Sequence, residues 1–372
     1  AWVGGDGGIS AVQVTEWDEP QAVIGSYLQK YAYPDWFGRH LEARRQLPTA
    51  HRHSAGEVAC LQTRGEYLYT AEGSAGVQVY DIASIANKGV SRRIITAPVS
   101  PLGQDAHIDT ANATCLALPT NQPVAPQRND GELMREENQE QAIHPIYNYA
   151  VVTDSEEGLI LFDVNTFADG EPRNNYIERA ITWNGAGILD GARHITLGGH
   201  YAYIAADAGL VIVNLDDPLQ PQLTAVVAMN NARASALQFR YLFVTNEDGL
   251  QVVDVTDVNE PKLVANNTIA LAEAYRVYVA RTYAYVAAGQ DGLVIVDVEN
   301  PEAMTLLQTF TGDNELRLSD SRDVVVGSTN ASLFAYVADG AAGLKVLQLT
   351  SPQSQPKLYG YSPEPRPEII DH

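Results

Sequence analysis

The sequence lacks the motifs that would identify a common enzyme class or a membrane protein. It contains two cysteines and no Cys-x-x-Cys-His segment, which excludes a covalently attached c-type haem on this chain. No apolar stretch approaches the roughly 20 residues that a membrane-spanning helix needs. The Gly-x-Ser-x-Gly elbow, the phosphate-binding glycine loop and the zinc-protease helix motif are also missing. These absences favour a non-enzymatic protein and leave an enzyme as the alternative.

Basic residues are scarce. The 372 residues include 24 Lys and Arg against 46 Asp and Glu, a net charge of −22. Such a chain repels DNA, RNA and anionic lipid, so we expect no nucleic-acid partner. It suits a partner with basic patches or a cationic ligand, and solubility alone would also explain the charge.

A repeated pattern dominates the rest of the sequence. In seven places a small or acidic residue and a glycine lead into an apolar run that ends near an acid, an amide or a glutamine. These segments are residues 7–14, 75–81, 157–163, 208–214, 248–254, 291–297 and 342–348. Each Asp-Gly or Glu-Gly pair is typical of a hairpin turn, because glycine tolerates positive φ.

The unit around each segment contains four short runs typical of strands, separated by Gly, Asp and Pro turns. The repeated glycine recurs at 209, 249 and 292, intervals of 40 and 43 residues. This period with four strands per unit predicts a β-propeller, here with seven four-stranded antiparallel blades in one domain over residues 1–372. The third strand, best seen as Leu-Val-Ile-Val at 293–296, is apolar at consecutive positions, which indicates a strand packed between two neighbouring blades.

The best-formed unit carries a resemblance to a known family. Tyr-Ala-Tyr-Val-Ala at 283–287, Gly-Leu-Val-Ile-Val-Asp-Val at 292–298 and Asn-Pro at 300–301 resemble the LVIVD-repeat β-propeller family. The resemblance implies an exported bacterial or archaeal protein, located extracellularly, on the cell surface or in the periplasm. It supplies no catalytic residues, because the motif consists of core and turn residues.

Three connections are longer than ordinary loops: residues 29–57, 119–146 and 168–190. The first two contain segments that we expect to be helical, and long loops on a rigid scaffold often carry function. The chain opens with what reads as the second strand of a blade. We expect that an upstream segment is missing or processed; the alternative is ring closure by residues 368–370.

The two cysteines, Cys60 and Cys115, lie in predicted innermost strands of successive blades. Inner strands converge near the propeller axis, so a disulfide between them is one prediction. The alternative is a pair of buried free thiols.

Histidines cluster in the N-terminal half and suggest a metal site. We expect His51, His53, His107 and His194 near the entrances of inner strands, where they would converge at the mouth of the central channel. Imidazole ligands suit copper or zinc, which would make the protein a copper-type oxidoreductase. Ordinary solvated histidines are the alternative.

Arginines at the matching entrances of later blades suggest another ligand. Arg193, Arg233 and Arg322 would surround the axis and hold a small anion. The sequence nevertheless favours a docking scaffold for a protein partner, for example an exported electron-transfer protein such as a multihaem cytochrome. The metal-dependent oxidoreductase and the anion binder are the alternatives, and the sequence does not define an oligomeric state.

Overall fold

The chain forms an all-β protein built from small antiparallel sheets. In this computed structural model, side chains are described for residues 57–80, 106–169, 177–312, 316–328, 332–351 and 362–371. Only strand backbone is described for residues 2–5, 8–13, 21–24, 81, 95–96 and 329. Over this part of the chain, no helix is long and apolar enough to cross a membrane.

Three blades lie in the first half of the propeller, each listed from its innermost strand outward. Blade 1 contains β4 (Cys60–Arg64), β5 (Tyr67–Ala71), β6 (Val77–Asp81) and an outer position shared by β7 (Ile95–Thr96) and β8 (His107–Ile108). Blade 2 contains β9 (Ala113–Ala117), β10 (Tyr149–Asp154), β11 (Gly158–Asp163) and β12 (Glu178–Trp183). Blade 3 contains β13 (His194–Gly198), β14 (Tyr201–Ala206), β15 (Gly209–Asn214) and β16 (Gln222–Val227).

Three further blades follow the same order. Blade 4 contains β17 (Ala234–Gln238), β18 (Tyr241–Asn246), β19 (Gly249–Asp254) and an outer position shared by β20 (Lys262–Leu263) and β21 (Ile269–Ala270). Blade 5 contains β22 (Arg276–Ala280), β23 (Tyr283–Ala287), β24 (Leu293–Asp297) and β25 (Thr305–Phe310). Blade 6 contains β26 (Asp323–Thr329), β27 (Ser332–Ala338), β28 (Leu344–Thr350) and β29 (Glu368–Asp371).

The prediction of seven four-stranded blades is wrong. Over the described residues the structure has six four-stranded blades. The N-terminal sheet has three strands, β1 (Trp2–Gly5), β2 (Gly8–Gln13) and β3 (Gln21–Ile24). The repeated glycine marks only a hairpin between two strands. The N-terminal sheet contains this hairpin and was therefore predicted to be a full blade, although its fourth strand is absent from the described part.

The apolar third strand of each blade packs on both faces, as its sequence predicts. In β24 every residue from Leu293 to Val296 is fully buried. Val294 joins a core cluster with Phe243 of blade 4, whereas Ile295 joins a cluster with Leu347 of blade 6. Because successive side chains of a strand point to opposite faces, one such strand contributes to two cores. Neighbouring blades are therefore held together by the same residues that form each sheet.

The hairpin glycine before this strand has a steric role. Gly249 has φ of +121°, and a Cβ at this position would collide with the carbonyl oxygen of Ile269 on the outer strand. A glycine here lets the hairpin close while the outer strand approaches it. The Asp-Gly pairs are thus turn residues, as expected.

The predicted insertions have different outcomes. The connection from β9 to β10 contains short helices at Pro126–Asn129, Leu133–Glu137 and Pro145–Asn148, so the expectation of helix within 119–146 is confirmed. The range 168–190 is only partly a loop, because Glu178–Trp183 is the outer strand of blade 2. Of 29–57, only Glu57 lies within the described residues.

The C-terminal residues complete the last blade. Glu368–Asp371 pairs with β28 as the outer strand of blade 6. Proline-rich residues precede it, which suits a connection that ends in a short edge strand. Residues 368–370 therefore do not supply an inner strand to the N-terminal sheet.

Cys60 and Cys115 form a disulfide between the innermost strands of blades 1 and 2, with a Cα–Cα distance of 4.8 Å. The bond joins residues 55 apart in sequence. It cross-links two successive sheets near the axis, in addition to their shared apolar core. The disulfide alternative is therefore the one that the structure supports.

Reduction of this disulfide should destabilise the protein. A cross-link closing a loop of this length contributes about 4 kcal/mol, because it restricts the unfolded chain. We expect a lower unfolding midpoint in urea for reduced wild type and for Cys60→Ser/Cys115→Ser. The double variant should not respond to reductant; a response equal to that of wild type would show that reductant acts elsewhere.

Arg64 fastens the long connection of blade 2 to blade 1. Its side chain is buried, with 1% of its surface exposed, and its guanidinium donates to the carbonyl oxygens of Val124, Tyr147 and Val164. Two of these carbonyls belong to the 118–148 connection. A buried cation with carbonyl partners satisfies several backbone acceptors that would otherwise be unpaired.

Removing this guanidinium should loosen the connection. We expect Arg64→Met to lower the free energy of unfolding by about 2–3 kcal/mol, since buried carbonyls lose charged donors. Limited proteolysis should then cut within 130–143 faster than in wild type. Arg135→Met is the matched control, because Arg135 bonds Glu140 inside the loop. Equal cleavage of both variants would contradict this role.

Candidate functional site

Polar side chains collect at the channel mouth, the end of the propeller where the inner strands begin. In each blade one residue immediately precedes the inner strand: Ala59, Asn112, Arg193, Arg233, Tyr275 and Arg322. In five of these blades, its backbone N–H donates to the carbonyl opposite the start of the inner strand, for Ala59, Arg193, Arg233, Tyr275 and Arg322. The repeat thus places the three predicted arginines at equivalent positions around the axis.

Two of these arginines meet on one aromatic ring. The guanidinium carbon of Arg233 lies 5.2 Å from the centre of the Tyr275 ring, and that of Arg322 lies 4.2 Å from it. These are cation–π distances. Blades 4, 5 and 6 therefore share a polar cluster at the channel mouth. The cluster forms because Arg233, Tyr275 and Arg322 each immediately precede the inner strand of their blade.

Carboxylates and carbonyls accompany every arginine of this group. Arg322 Nε is 2.7 Å from Asp320 Oδ1, Arg193 pairs with Asp207, and Arg233 Nη1 donates to the carbonyl of Ala274 at 3.0 Å. Each of the three arginines consequently has an oxygen acceptor within the protein. A small anion would have to compete with partners already in place, so anion binding by Arg193, Arg233 and Arg322 stays a prediction.

Glu273 stabilises the same cluster as a carboxylate. It accepts hydrogen bonds from the backbone N–H of Gln290 at 3.2 Å and from the hydroxyl of Tyr275 at 2.9 Å. These two bonds lower the pKa of Glu273, the backbone one most. The pKa of Tyr275 is raised, first by burial and then by its bond to the carboxylate. Both effects keep the pair as carboxylate and phenol at neutral pH.

Below the mouth, a charged side chain crosses the axis. Arg276 opens the inner strand of blade 5, and its Nη1 lies 4.0 Å from Sγ of Cys115 in blade 2. Burial raises the pKa of Asp323, at the start of the blade 6 inner strand, and Arg276 partly offsets this effect. The side chain of Arg276 thus reaches from blade 5 to blade 2 near the axis.

The predicted histidine cluster is not assembled by the residues that the structure describes. His194 begins β13, and its Nδ1 accepts the N–H of Ser235 at 3.3 Å. His107 instead lies on β8, the outermost position of blade 1, with Nε2 2.6 Å from the carbonyl oxygen of Ala75. The prediction that His107 lies at an inner-strand entrance was wrong, because residues 107–108 pair with β6 of blade 1 before the chain enters the inner strand of blade 2. His51 and His53 lie outside the described residues.

The opposite end of the propeller, which we call the hairpin face, is where each inner strand turns into the second strand. It is formed by the turns at 65–66, 199–200, 239–240 and 281–282, the 118–148 connection, and the loops 215–221, 255–261 and 298–304. A hydrogen bond of 2.6 Å from the hydroxyl of Tyr241 to Glu302 joins blades 4 and 5 on this face. This bond raises the pKa of Tyr241.

Three side chains converge on the hairpin face although the sequence analysis did not select them. His144 Nε2 is 3.3 Å from Asp216 Oδ1, and the rings of His144 and His200 lie 5.6 Å apart with an interplanar angle of 16°. Histidine and aspartate ligand atoms of this trio all lie within 4.8 Å of one another. No spacing in the sequence indicates the trio, because His144 and Asp216 are 72 residues apart.

Phe239 is the most exposed large apolar residue of the described chain, with 92% of its surface accessible. It occupies the β17–β18 turn of the hairpin face with φ of +54°. Glycine fills the matching position of blades 1 and 3, as Gly65 and Gly199. A phenylalanine in this conformation costs on the order of 1 kcal/mol, and its ring has no core to pack against.

Six exposed carboxylates lie on three successive loops at the same end of the blades as Phe239. They are Asp216, Asp217, Asp257, Glu260, Glu299 and Glu302. The loops that carry them, 215–221, 255–261 and 298–304, contain no lysine or arginine. These three loops are therefore acidic, and the basic residues of this end of blades 4 and 5 lie in the turns, at Arg240 and Arg281.

Comparison with known proteins identifies the repeat. The LVIVD repeat family matches residues 191–228, 273–311 and 321–361, which include blade 3, blade 5 and most of blade 6. No curated protein sequence is significantly similar to the chain.

Solved structures share the arrangement at low sequence identity. A protein from Lactobacillus plantarum matches 85% of this chain and 86% of its own, with a TM-score of 0.52 and 12% identity. The β-propeller domain of Cps50 (Swd1) from Myceliophteria thermophila matches 84% of this chain and 86% of its own, at a TM-score of 0.46 and 15% identity. At such identities the likeness concerns the fold alone. With its repeats placed in radially packed blades, the chain is a β-propeller that carries LVIVD repeats.

Proposed function

We propose that this protein is an exported docking module that binds a basic protein partner through its hairpin face. The observation that carries the proposal is Phe239, an exposed aromatic side chain in a left-handed turn, on a face whose three neighbouring loops carry exposed carboxylates. Aromatic residues are prominent among the side chains that contribute most to protein–protein binding.

Charge complementarity indicates the partner's chemistry. The exposed carboxylates of blades 3 to 5 favour a basic surface and repel acidic ones. Phe239 would enter an apolar pocket of that surface, while the carboxylates form the polar rim around it. The left-handed backbone belongs to the turn itself, since Arg281 has the same conformation in blade 5, so the support for binding comes from the exposure of the Phe239 ring.

Export and the class of partner complete the proposal. The disulfide between Cys60 and Cys115 is suited to an oxidising compartment such as the periplasm or the cell exterior. An exported electron-transfer protein with a basic surface, such as a multihaem cytochrome, fits the charge of the hairpin face. Any haem would belong to that partner.

Replacing Phe239 should separate binding from folding. We expect Phe239→Gly to change the melting temperature by less than about 3 °C, because glycine accepts the positive φ. The affinity for a purified basic multihaem cytochrome, measured by biolayer interferometry, should fall about tenfold or more, as for a hot-spot residue. High salt should weaken the wild-type complex.

Leu306→Ser is the matched control, because Leu306 is also exposed, at 53%, but lies on the outer strand of blade 5. It should bind as wild type does. If Phe239→Gly binds the cytochrome as tightly as wild type does, the proposal that Phe239 belongs to the docking surface is wrong. A cytochrome that does not bind wild type would overturn the partner class, and a photo-crosslinking phenylalanine analogue at position 239 would then show whether any partner contacts this face.

A further inference from the structure

The trio of His144, His200 and Asp216 joins three separate parts of the hairpin face. His144 belongs to the 118–148 connection, His200 to the β13–β14 turn, and Asp216 to the loop after β15. The 118–148 connection belongs to blade 2, and the other two residues belong to blade 3. A ligand shared by the trio would therefore cross-link two blades at the surface.

Local contacts position the two imidazole rings and the backbone of Asp216. His144 Nδ1 accepts the backbone N–H of Ile146 at 3.1 Å, at the start of the short helix Pro145–Asn148. The His200 ring packs on Tyr201 with a centroid distance of 4.4 Å. The backbone N–H of Asp216 donates to Oδ1 of Asn214 at 2.8 Å. The trio is thus brought together before any ligand is bound, and binding would require local adjustment of His144 and His200.

We propose that His144, His200 and Asp216 bind a divalent transition-metal ion, with zinc as the ion to test first. Two imidazoles and one carboxylate are a common three-ligand set for zinc, which leaves a fourth position for water or an incoming ligand. Ligand atoms at about 2.0–2.1 Å from a tetrahedral metal lie about 3.3 Å apart. His144 Nε2 and Asp216 Oδ1 already have this separation, 3.3 Å, whereas His200 has to move closer.

Binding shifts one proton within the His144 ring. Because Nδ1 accepts from Ile146, the neutral ring carries its proton on Nε2, facing Asp216. Coordination through Nε2 moves that proton to Nδ1 and ends the hydrogen bond from Ile146, so the number of bound protons is unchanged. The lost bond costs about 1 kcal/mol, which is small beside metal–ligand bonds.

Solvent access and charge both favour a cation here. The side chain of Asp216 is 72% exposed and that of His144 is 31% exposed, so an ion can enter from solution. Asp217 adds a second exposed carboxylate next to the ligand. The bound ion would also lie on the hairpin face, although its binding requires no protein partner.

Metal binding can be measured on the full chain without any partner, so the result is independent of the docking proposal. After treatment with chelator, the protein is titrated with Zn²⁺ by calorimetry and its metal content is determined by mass spectrometry after dialysis. We expect one zinc ion per chain for wild type and at least a hundredfold weaker binding for His200→Ala. Asp216→Asn should weaken binding too, and its exposed position should leave the fold intact.

Two controls locate the ion. His107→Gln and His51→Ala/His53→Ala should bind zinc as wild type does, because these residues are outside the trio. Co²⁺ should give the visible absorption of a tetrahedral site in wild type and lose it in His200→Ala. The proposal is overturned if wild type binds no stoichiometric zinc, or if His200→Ala binds it unchanged; loss of zinc only in the His51/His53 variant would place the metal elsewhere.

Discussion

The structure depends on apolar third strands that are buried on both faces. Each strand supplies alternate side chains to two cores, one on either side of its sheet, as β24 does with Val294 and Ile295. A blade by itself would expose both faces, so each blade requires its neighbours. This requirement explains the four consecutive apolar residues of the LVIVD pattern and why the motif is informative about fold and uninformative about activity.

Because the faces of the sheets are buried between blades, the residues at the two ends of the sheets are the ones available for binding. The channel mouth collects the residues before each inner strand, and most of its arginines have carboxylate or carbonyl partners there. The hairpin face differs, because its turns carry Phe239, its loops carry exposed carboxylates, and the 118–148 connection brings His144 to blade 3. The docking and metal proposals both concern this less constrained end.

The sequence predicts the fold well because every blade repeats the same local rules. Strand order, the hairpin glycines and the doubly buried strands could be derived from period and composition, and the mouth positions of Arg233 and Arg322 followed from them. The number of four-stranded blades could not, because a glycine hairpin marks two strands and says nothing about a fourth. The disulfide was left open, since sequence alone does not fix the distance between inner strands.

Side-chain convergence between blades was the least predictable feature. His107 was expected at the entrance of the next inner strand. It is instead the first residue of the two-residue outer strand β8, and the inner strand β9 begins only at Ala113. His144 and His200 meet only because a long connection folds back over a neighbouring blade, a tertiary event without a local signal. Arg64, which holds that connection, is an arginine in a strand that gives no sign in sequence of its three carbonyl partners.

The arginine that spans the axis connects sheets that are distant in the sequence. Arg276 opens the inner strand of blade 5, and its Nη1 lies 4.0 Å from Sγ of Cys115 in blade 2. Because Cys115 is also bonded to Cys60 of blade 1, one guanidinium and one disulfide together link three inner strands close to the axis.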